Sequence, residues 1–282
     1  MSSWVEEKLH QDFRSRLKAT KILHDSQSDF HRITIFENSI FGRTLALDEI
    51  IQTSEVDEYT YHEMLVHVPV FAHGAVHSVL IVGGGDGGAL EELFKHRNIE
   101  TVTMVEIDGQ VVELSQKWLG GICGQAFSDP RLKLVIGNGV DFVAKDEEFY
   151  DLVIIDSTDP IGPGEALFSS KFYRNCRRRM APGGVLVAQS GVPFLQSDGL
   201  RESYSFLRES FVSVSCYITH VPTYVGGLMC LVWASDDETL TNVSVSTLSA
   251  RYRAASVNTR QYGPEVHKAA FVLPPYIQEL LV

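Results

Sequence analysis

The chain has 282 residues, of which 44% are hydrophobic, and it carries a formal net charge of −12. This length supports a sizeable hydrophobic core in one large domain, with or without a small second one. The acidic balance disfavours a nucleic-acid backbone as a partner and favours a cationic ligand.

The first residues and the cysteines indicate a compartment. Charged residues appear from Glu6 onward without the apolar stretch of a signal peptide, and the apolar runs are far shorter than the roughly 20 residues that span a bilayer. None of the four cysteines belongs to a C-x-x-C pair, so neither a zinc site nor a disulfide framework is indicated. We expect a soluble, cytoplasmic protein without membrane association.

Two regions of different pattern follow one another along the chain. Residues 1–55 contain short β-type runs at 21–24, 30–36 and 44–47, which predict a small N-terminal β-rich domain after a possible amphipathic start. From Val56 a helical pattern continues to about Pro69 and opens a second domain, residues 56–282.

The second region alternates apolar strands with helical segments. Strands are predicted at 78–82, 101–106, 132–136, 152–156 and 185–189. This alternation is typical of βαβ units in a mostly parallel sheet that is covered on both faces. Two further runs, at 211–219 and 228–233, predict an antiparallel edge pair. The predicted fold class is therefore α/β, with a Rossmann-type sheet after a small β domain.

A glycine-rich turn follows the first strand of this sheet. Gly83, Gly85 and Gly88 satisfy G-x-G-x-x-G, and Glu106, at the end of the next strand, is placed to accept both hydroxyls of an adenosine ribose. Close packing alone also explains such a turn, and an NAD enzyme would share both features. However, Asp86 inside the loop would repel a pyrophosphate, which favours an S-adenosyl compound with a cationic amine beside Asp86.

An acidic turn follows the fourth strand of the sheet. Asp156 and Asp159 emerge at the carboxyl edge on a turn that contains Pro160 and Pro163. The two carboxylates can cradle an amine, although Asp before Pro is also ordinary turn chemistry. Alkyl transfer from a sulfonium requires a neutral amine, so a general base must first deprotonate it. The sulfonium carbon is already activated and needs alignment rather than a metal.

Five segments in order resemble spermidine synthases. They are residues 52–64 (QTSEVDEYTYHEM), the loop 83–88, residues 105–108 (VEID), 156–160 (DSTDP) and 222–224 (PTY). The resemblance spans most of the chain and implies a methyltransferase-like α/β domain, no metal or other cofactor, and usually a homodimer. The implied reaction moves an aminopropyl group from decarboxylated S-adenosylmethionine to putrescine, giving spermidine and methylthioadenosine.

The resemblance also implies a role for individual positions. Asp156 is implied as the catalytic base. The residues implied around the diamine or the aminopropyl group are Asp156, Asp159, Asp86, His62, Tyr61, Gln189 and Tyr224. Those implied on the donor side are His31, Gln52, Asp86, Glu106, Asn138, Gly139, Pro163, Gly83 and Gly85. Rings such as Tyr61 and Tyr224 can cover methylene groups and face a cation, although half-buried packing is the ordinary role of a helix tyrosine.

Three positions depart from the family pattern. His31 stands where glutamine is common, Asn138 where aspartate commonly accepts the adenine amino group, and Glu91 where arginine is common. Asn138 can still accept through its carbonyl oxygen, without the strength of a carboxylate acceptor, which predicts weaker nucleoside binding.

Two alternative functions remain open. A putrescine N-methyltransferase has a similar fold and amine site but uses S-adenosylmethionine itself, whose carboxylate Asp86 would crowd. A catalytically silent polyamine- or nucleoside-binding protein would keep the fold without needing Asp156 and Asp159.

Two other patterns are weaker. His62 and His67 are five residues apart, about 140° around a helix, which argues against a zinc-protease site. The basic cluster 171–179 is expected to be a solvated helix face rather than a nucleic-acid site.

Overall fold

A computed structural model of the chain describes residues 3–145, 148–159 and 162–282. The N-terminal part is built from β-strands: β1 (Ser3–Glu6), β2 (Arg16–Ala19), β3 (Lys21–Gln27), β4 (Arg32–Asn38), β5 (Gly42–Leu47) and β6 (Ile50–Ser54). β1 pairs with β2, and β3 to β6 form a four-stranded antiparallel sheet in chain order. The segment predicted as a possible amphipathic start thus contains the strand β1.

One face of this four-stranded sheet is apolar and buried. Ile33 and Ile35 of β4 pack with Leu45 of β5 against Val111 and Ile122 of the larger domain. The alternation of Ile33 and Ile35 places both side chains on the same face of β4. Burial of this face attaches the N-terminal sheet to the rest of the chain.

The larger domain has a seven-stranded sheet. Its elements are α1 (Tyr59–His73), β7 (Ser78–Gly83), α2 (Gly88–Phe94), β8 (Thr101–Glu106), α3 (Gly109–Trp118), α4 (Gly120–Cys123), β9 (Leu132–Ile136), α5 (Gly139–Val143), β10 (Tyr150–Asp156), α6 (Ser170–Arg178), β11 (Met180–Gln189), α7 (Ser197–Arg208), β12 (Ser213–Thr219), β13 (Met229–Ser235), α8 (Val245–Ala255), α9 (Pro264–Ala270) and α10 (Pro275–Gln278). The strand order is β12-β13-β11-β10-β7-β8-β9. The predicted α/β class is confirmed.

The centre of the sheet determines where ligands can bind. β10, β7, β8 and β9 are parallel neighbours, and β10 is also parallel to β11. The chain runs outward from β7 to β9 and then returns to the other side at β10. The crevice of such a sheet opens at the carboxyl ends of the strands where the order reverses, between β7 and β10.

The antiparallel pair at the other side of the sheet differs from a simple edge hairpin. β13 lies inside the sheet between β11 and β12, so of these two strands only β12 is at the edge. Every residue of β13 is buried, which fits a strand covered on both faces.

The first helix continues through Pro69 instead of ending there. α1 runs to His73 and has a left-handed glycine, Gly74, at its end. Its residues from Thr60 to Ala72 are buried, and this packing outweighs the hydrogen bond that proline cannot donate. Within the described ranges, no helix is both long and apolar enough to cross a membrane.

One buried carboxylate links the N-terminal strands to the larger domain. Asp57, between β6 and α1, accepts hydrogen bonds from the Ser54 hydroxyl at 2.6 Å and from the backbone N–H and hydroxyl of Thr223, both at 2.8 Å. Thr223 lies in the loop between β12 and β13. The start of α1 is thus fixed against the far side of the sheet.

Candidate active site

A deep pocket lies between the N-terminal sheet and the carboxyl edge of the large sheet. It encloses about 1370 Å³ of empty space, part of it open to solvent. The predicted residues on its wall are His31, Gln52, Tyr61, Gly83, Gly85, Asp86, Glu106, Asn138, Gly139, Asp156, Asp159, Gln189 and Tyr224. The structure therefore brings together residues that are up to 193 positions apart, His31 to Tyr224.

Asp156 ends β10 at the middle of the pocket. In the sheet register it is the partner of Gly83, which has a positive φ of 88° and whose missing Cβ would lie 2.1 Å from the Asp156 carbonyl oxygen. Gly83 thus allows the glycine loop to approach the acid closely. The Tyr61 hydroxyl donates to Asp156 Oδ1 at 2.7 Å.

The environment of Asp156 suits a proton acceptor. Burial, followed by the charge of Asp86, raises the pKa of Asp156 to about 6, against the lowering effects of His62 and of the Tyr61 hydrogen bond. Burial and the Asp156 charge hold the pKa of Tyr61 well above its ordinary value, so the phenol is a donor. A carboxyl group with a pKa near 6 is tuned toward general-base work near neutral pH.

Asp86 lies in the glycine loop opposite Asp156. Its Oδ1 accepts a 2.9 Å hydrogen bond from the Gly88 N–H, and its Oδ2 lies 3.5 Å from Nε2 of His62. Burial alone would raise the pKa of Asp86, but His62 and the Gly88 N–H outweigh it and lower the pKa. An ionised Asp86 can bind the ammonium end of a ligand.

His62 is placed behind Asp86 rather than on the pocket wall. Its side chain is only 2% exposed, and its Nε2 faces Oδ2 of Asp86.

The pocket wall carries further acidic groups. Asp159 accepts a hydrogen bond from the Gln196 side-chain amide, and Glu7 and His10 from the segment after β1 line the same wall. Burial raises the pKa of both Asp159 and Glu7, and each acid lies within electrostatic range of His10.

Three predicted amine-side residues also support the pocket wall. The Tyr224 hydroxyl donates to the backbone carbonyl of Gln52, and the Tyr61 and Tyr224 rings meet edge to face with centroids 6.1 Å apart. Both polar atoms of the Gln189 amide bond to backbone, one to the Thr158 carbonyl at 3.0 Å and one to the Gly191 N–H at 3.0 Å. Gln189 therefore helps to fix the loops that follow β10 and β11.

Glu106, predicted on the donor side, lines the pocket at the end of β8. Its Oε1 accepts the Asp108 N–H at 2.8 Å, while Oε2 lies beside Gly85 of the glycine loop. Burial raises the pKa of Glu106 to about 7, although the Asp108 N–H favours the ionised form. Across the pocket, Nδ1 of His31 lies 2.8 Å from Oδ2 of Asp48.

The second predicted donor-side segment begins α5. Asn138 is the N-cap of this helix, and its Oδ1 accepts the N–H groups of Val140 at 2.8 Å and Asp141 at 3.4 Å. The carbonyl oxygen expected to meet adenine is therefore already engaged with the helix. Gly139 lines the pocket beside it. The side chain of Pro163 and the whole of Pro160 fall outside the described residues.

Sequence reasoning missed several residues on the pocket wall. Gln196 follows β11, and the rule that strand carboxyl ends form the crevice could have identified it. Glu7 and His10 lie before the first predicted strand, where no local pattern shows that the segment folds over the pocket.

The expected surface helix, residues 171–179, is more constrained than predicted. Arg177 pairs with Asp236 at 2.9 Å, and Arg179 is only 1% exposed.

Comparison with known families agrees with this geometry. Residues 58–246 match the spermine/spermidine synthase domain, and residues 3–55 match the spermidine synthase tetramerisation domain. The chain belongs to the spermine/spermidine synthase family. The resemblance seen in its motifs is confirmed.

Full-length relatives support the same assignment. The polyamine aminopropyltransferase of Ruegeria sp. is 46% identical over 277 residues, covering 98% of both chains. Polyamine aminopropyltransferase 1 of Pseudomonas aeruginosa is 46% identical over 276 residues, covering 98% of this chain and 96% of the relative. The chain is accordingly an aminopropyltransferase.

Solved family structures share the whole fold. A spermidine synthase crystallised with a transition-state analogue superposes with a TM-score of 0.94 at 35% identity, covering 99% of this chain and 94% of the other. Spermidine synthase from Thermotoga maritima gives a TM-score of 0.91 at 34% identity, with the same coverage.

Proposed function

We propose that the chain transfers the aminopropyl group of decarboxylated S-adenosylmethionine to putrescine, with Asp156 as the general base. The observation that carries this proposal is the distribution of charge in one pocket. Asp86, Asp156, Asp159 and Glu106 all line it, and ligand atoms of Asp86 and Asp156 lie within 4.8 Å of each other. A dication such as putrescine complements this arrangement of acids.

The reacting amine is assigned to the space beside Asp156. The ammonium group transfers a proton to the carboxylate, and the freed nitrogen lone pair attacks the aminopropyl carbon bonded to the sulfonium. A C–N bond forms as the C–S bond breaks, and the bonding pair remains on sulfur. The products are spermidine and neutral methylthioadenosine, with the proton on Asp156.

The two ends of the diamine require different partners. Asp156 takes the proton from the reacting nitrogen, while Asp159 and Glu7 are suited to hold the far ammonium. Tyr61 and Tyr224 line the same pocket, and their adjacent rings can cover the methylene chain of the diamine.

The donor is assigned to the opposite end. Glu106 is suited to accept the ribose hydroxyls, and Asp86 to bind the aminopropyl ammonium. The full methionine tail of S-adenosylmethionine would bring a carboxylate toward Asp86, and like charges in a buried site repel. This favours the decarboxylated donor over methyl transfer.

A product assay tests the proposal. The protein is incubated with putrescine and either decarboxylated or intact S-adenosylmethionine, and the products are separated by mass spectrometry. We expect spermidine and methylthioadenosine with the decarboxylated donor only. Methylputrescine would identify a methyltransferase instead, and absence of any product with both donors would leave a binding protein.

We further propose that the reaction needs no metal. Ligand atoms of His62, Asp86 and Asp156 lie within 4.8 Å of one another, close enough to hold an ion. The sulfonium carbon is nonetheless activated by its own charge, and alignment with a base supplies what remains. Activity that survives dialysis against a chelator is the expected result, and loss of activity restored by one divalent cation would contradict it.

Assembly and location are also proposed. We expect a homo-oligomer, with a homodimer as the smallest unit, since residues 3–55 match a domain named for tetramerisation. Light scattering after size exclusion would distinguish a dimer from a tetramer or a monomer. A cytoplasmic location fits the four cysteines, all of them free thiols.

A further inference from the structure

Glu58 lies at the start of α1, one helical turn before His62. Its Oε2 is 2.8 Å from Nδ1 of His62, and the two side chains are 14% and 2% exposed. Glu58 does not line the substrate pocket, so any influence on the reaction must pass through His62.

The His62 ring is held in place from three sides. Glu58 contacts Nδ1, Oδ2 of Asp86 lies 3.5 Å from Nε2, and the ring occupies the space in which a Cβ on Gly88 would sit, 2.2 Å from the ring carbon. Any side chain at Gly88 would displace the His62 ring from its position between Glu58 and Asp86. Glu58, His62 and Asp86 thus form a series of acid, imidazole and acid, and the last of them, Asp86, lines the pocket.

Glu58, His62 and Asp86 are largely buried, so their charges must offset one another with little contribution from solvent. Burial alone would lower the pKa of His62, but the charges and hydrogen bonds of Asp86 and Glu58 outweigh it and raise the pKa well above its ordinary value. An imidazolium there lies next to both Asp86 and Asp156, because one nitrogen of the ring and one carboxylate oxygen of each acid lie within 4.8 Å of one another. Without it, two buried carboxylates would repel each other and one would take up a proton.

Other titratable groups near His62 do not supply this positive charge. Those that face it or Asp86 are Glu58 and Tyr61 of α1, Cys123 of α4, Asp156 of β10 and Tyr224 of the β12–β13 loop. All of these are acids, so His62 alone among them can carry a positive charge.

We propose that Glu58 is a positioning residue that keeps His62 protonated, and that through His62 it lets Asp86 and Asp156 both ionise near neutral pH. This inference rests on the proposed role of Asp156 as the base. In the catalytic cycle His62 stays an imidazolium and supplies no proton to the substrates. Its function is to offset the negative charge that the amine substrates require.

The first test measures His62 directly. Protein labelled with ¹⁵N-histidine is titrated by NMR as wild type, Glu58→Gln, Glu58→Asp and Glu91→Gln. The Glu91→Gln control removes an equal charge from the neighbouring helix α2, where Glu91 pairs with Lys95 at 2.8 Å. We expect His62 to stay protonated beyond pH 7 in the wild type and in Glu91→Gln. The midpoint of its titration should fall below about pH 5 in Glu58→Gln, where one acid fewer opposes the effect of burial, and be partly restored in Glu58→Asp.

The second test follows the reaction. The value of kcat/KM for the amine is measured from pH 5 to pH 9 at saturating donor. Loss of the imidazolium raises the pKa of Asp156, so the acidic limb in Glu58→Gln should move up by about one pH unit. At pH 5 this corresponds to about tenfold lower kcat/KM than wild type, with agreement within about twofold at pH 8.5.

The two tests separate the possible failures. A His62 titration that Glu58→Gln leaves unchanged overturns the proposal, whatever the activity. A shifted His62 titration with an unmoved acidic limb overturns the link from His62 to Asp156. If Asp156→Asn keeps wild-type turnover, the base assignment itself fails, while the NMR titration still decides whether Glu58 controls His62.

Discussion

The hydroxyl of Tyr61 donates a 2.7 Å hydrogen bond to Oδ1 of Asp156, so the first turn of α1 touches the end of the central strand β10. The bond favours the ionised carboxylate and opposes the pKa increase that burial causes. Tyr61→Phe should therefore move the acidic limb of the kcat/KM profile up by about one pH unit, which lowers kcat/KM about twofold near pH 7 and about tenfold near pH 5. An unmoved acidic limb would show that Tyr61 acts by packing alone.

Asp156 and Asp159 should respond differently to the same substitution. Asp156→Asn removes the proposed base and should lower kcat by about 100-fold or more, with nearly unchanged folding and donor binding. Asp159→Asn removes a partner of the far ammonium and should mainly raise KM for the diamine. Steady-state kinetics with the exposed-site control Asp198→Asn checks both, and equal loss of kcat in the two variants would contradict the division of roles.

Nucleoside binding should depend on the ionisation of Glu106. In the protein without a bound nucleoside, burial raises the pKa of Glu106 to about 7. Only the ionised carboxylate accepts hydrogen bonds from both ribose hydroxyls. The affinity for methylthioadenosine should therefore increase as the pH rises from 6 to 8, where the carboxyl group loses its proton. Calorimetric titrations at several pH values would show this, and Glu106→Gln should bind more weakly with no such pH dependence.

Asn138→Asp should tighten nucleoside binding. The Asn138 carbonyl oxygen is engaged with the N–H groups of Val140 and Asp141, whereas an aspartate has a second carboxylate oxygen left for the adenine amino group. Because charge-assisted hydrogen bonds are stronger than neutral ones, we expect several-fold tighter binding of methylthioadenosine. The affinity for methylthioinosine, which has no amino group at this position, should not improve. Equal gains for both nucleosides would refute the adenine contact.

Buried histidines far from the pocket should make the fold sensitive to acid. Nδ1 of His67 lies 2.9 Å from Nε2 of His96, and burial lowers the pKa of each to about 3. The unfolded chain binds protons at these residues below pH 6.5 and the folded chain does not until about pH 3. The free energy of unfolding should therefore fall between these values, by about 1.4 kcal/mol per pH unit for each histidine.

A substitution isolates this contribution. His96→Gln should reduce the slope of unfolding free energy against pH by about 1.4 kcal/mol per unit near pH 5, as measured by urea unfolding. His77→Gln, at an exposed position, is the matched control. Identical slopes in wild type and His96→Gln would contradict a neutral buried histidine pair.

The strands of the large sheet were predictable because burial on both faces leaves continuous apolar runs. The segment at Leu152–Ile155 is entirely apolar, and it is the core of β10. By contrast, β1 and β2 carry Glu6, Arg16 and Lys18, and they are strands only because they pair with each other. Cross-strand pairing of this kind leaves little trace in local sequence.

The pocket was predictable only in part, for a similar reason. The acids at strand ends, Asp156 and Glu106, follow from topology, since parallel strands meet at one edge. The position of His62 behind Asp86 depends on the packing of α1 against the glycine loop. Glu7 reaches the pocket because the segment after β1 folds back across it, which no periodicity encodes.

The Asp57 hydrogen bonds mean that the boundary at the end of β6 is not a place where the molecule can be divided. Asp57 receives the Ser54 hydroxyl on one side and Thr223 on the other, beside Tyr224, whose hydroxyl in turn binds the Gln52 carbonyl. Cutting the chain there would release two fragments, each with part of the pocket wall. The first would lose the partners of the Gln52 carbonyl and the Ser54 hydroxyl, and the second would lose the partner of the Tyr224 hydroxyl. The described residues form three sheets, but the enzyme has a single indivisible catalytic unit.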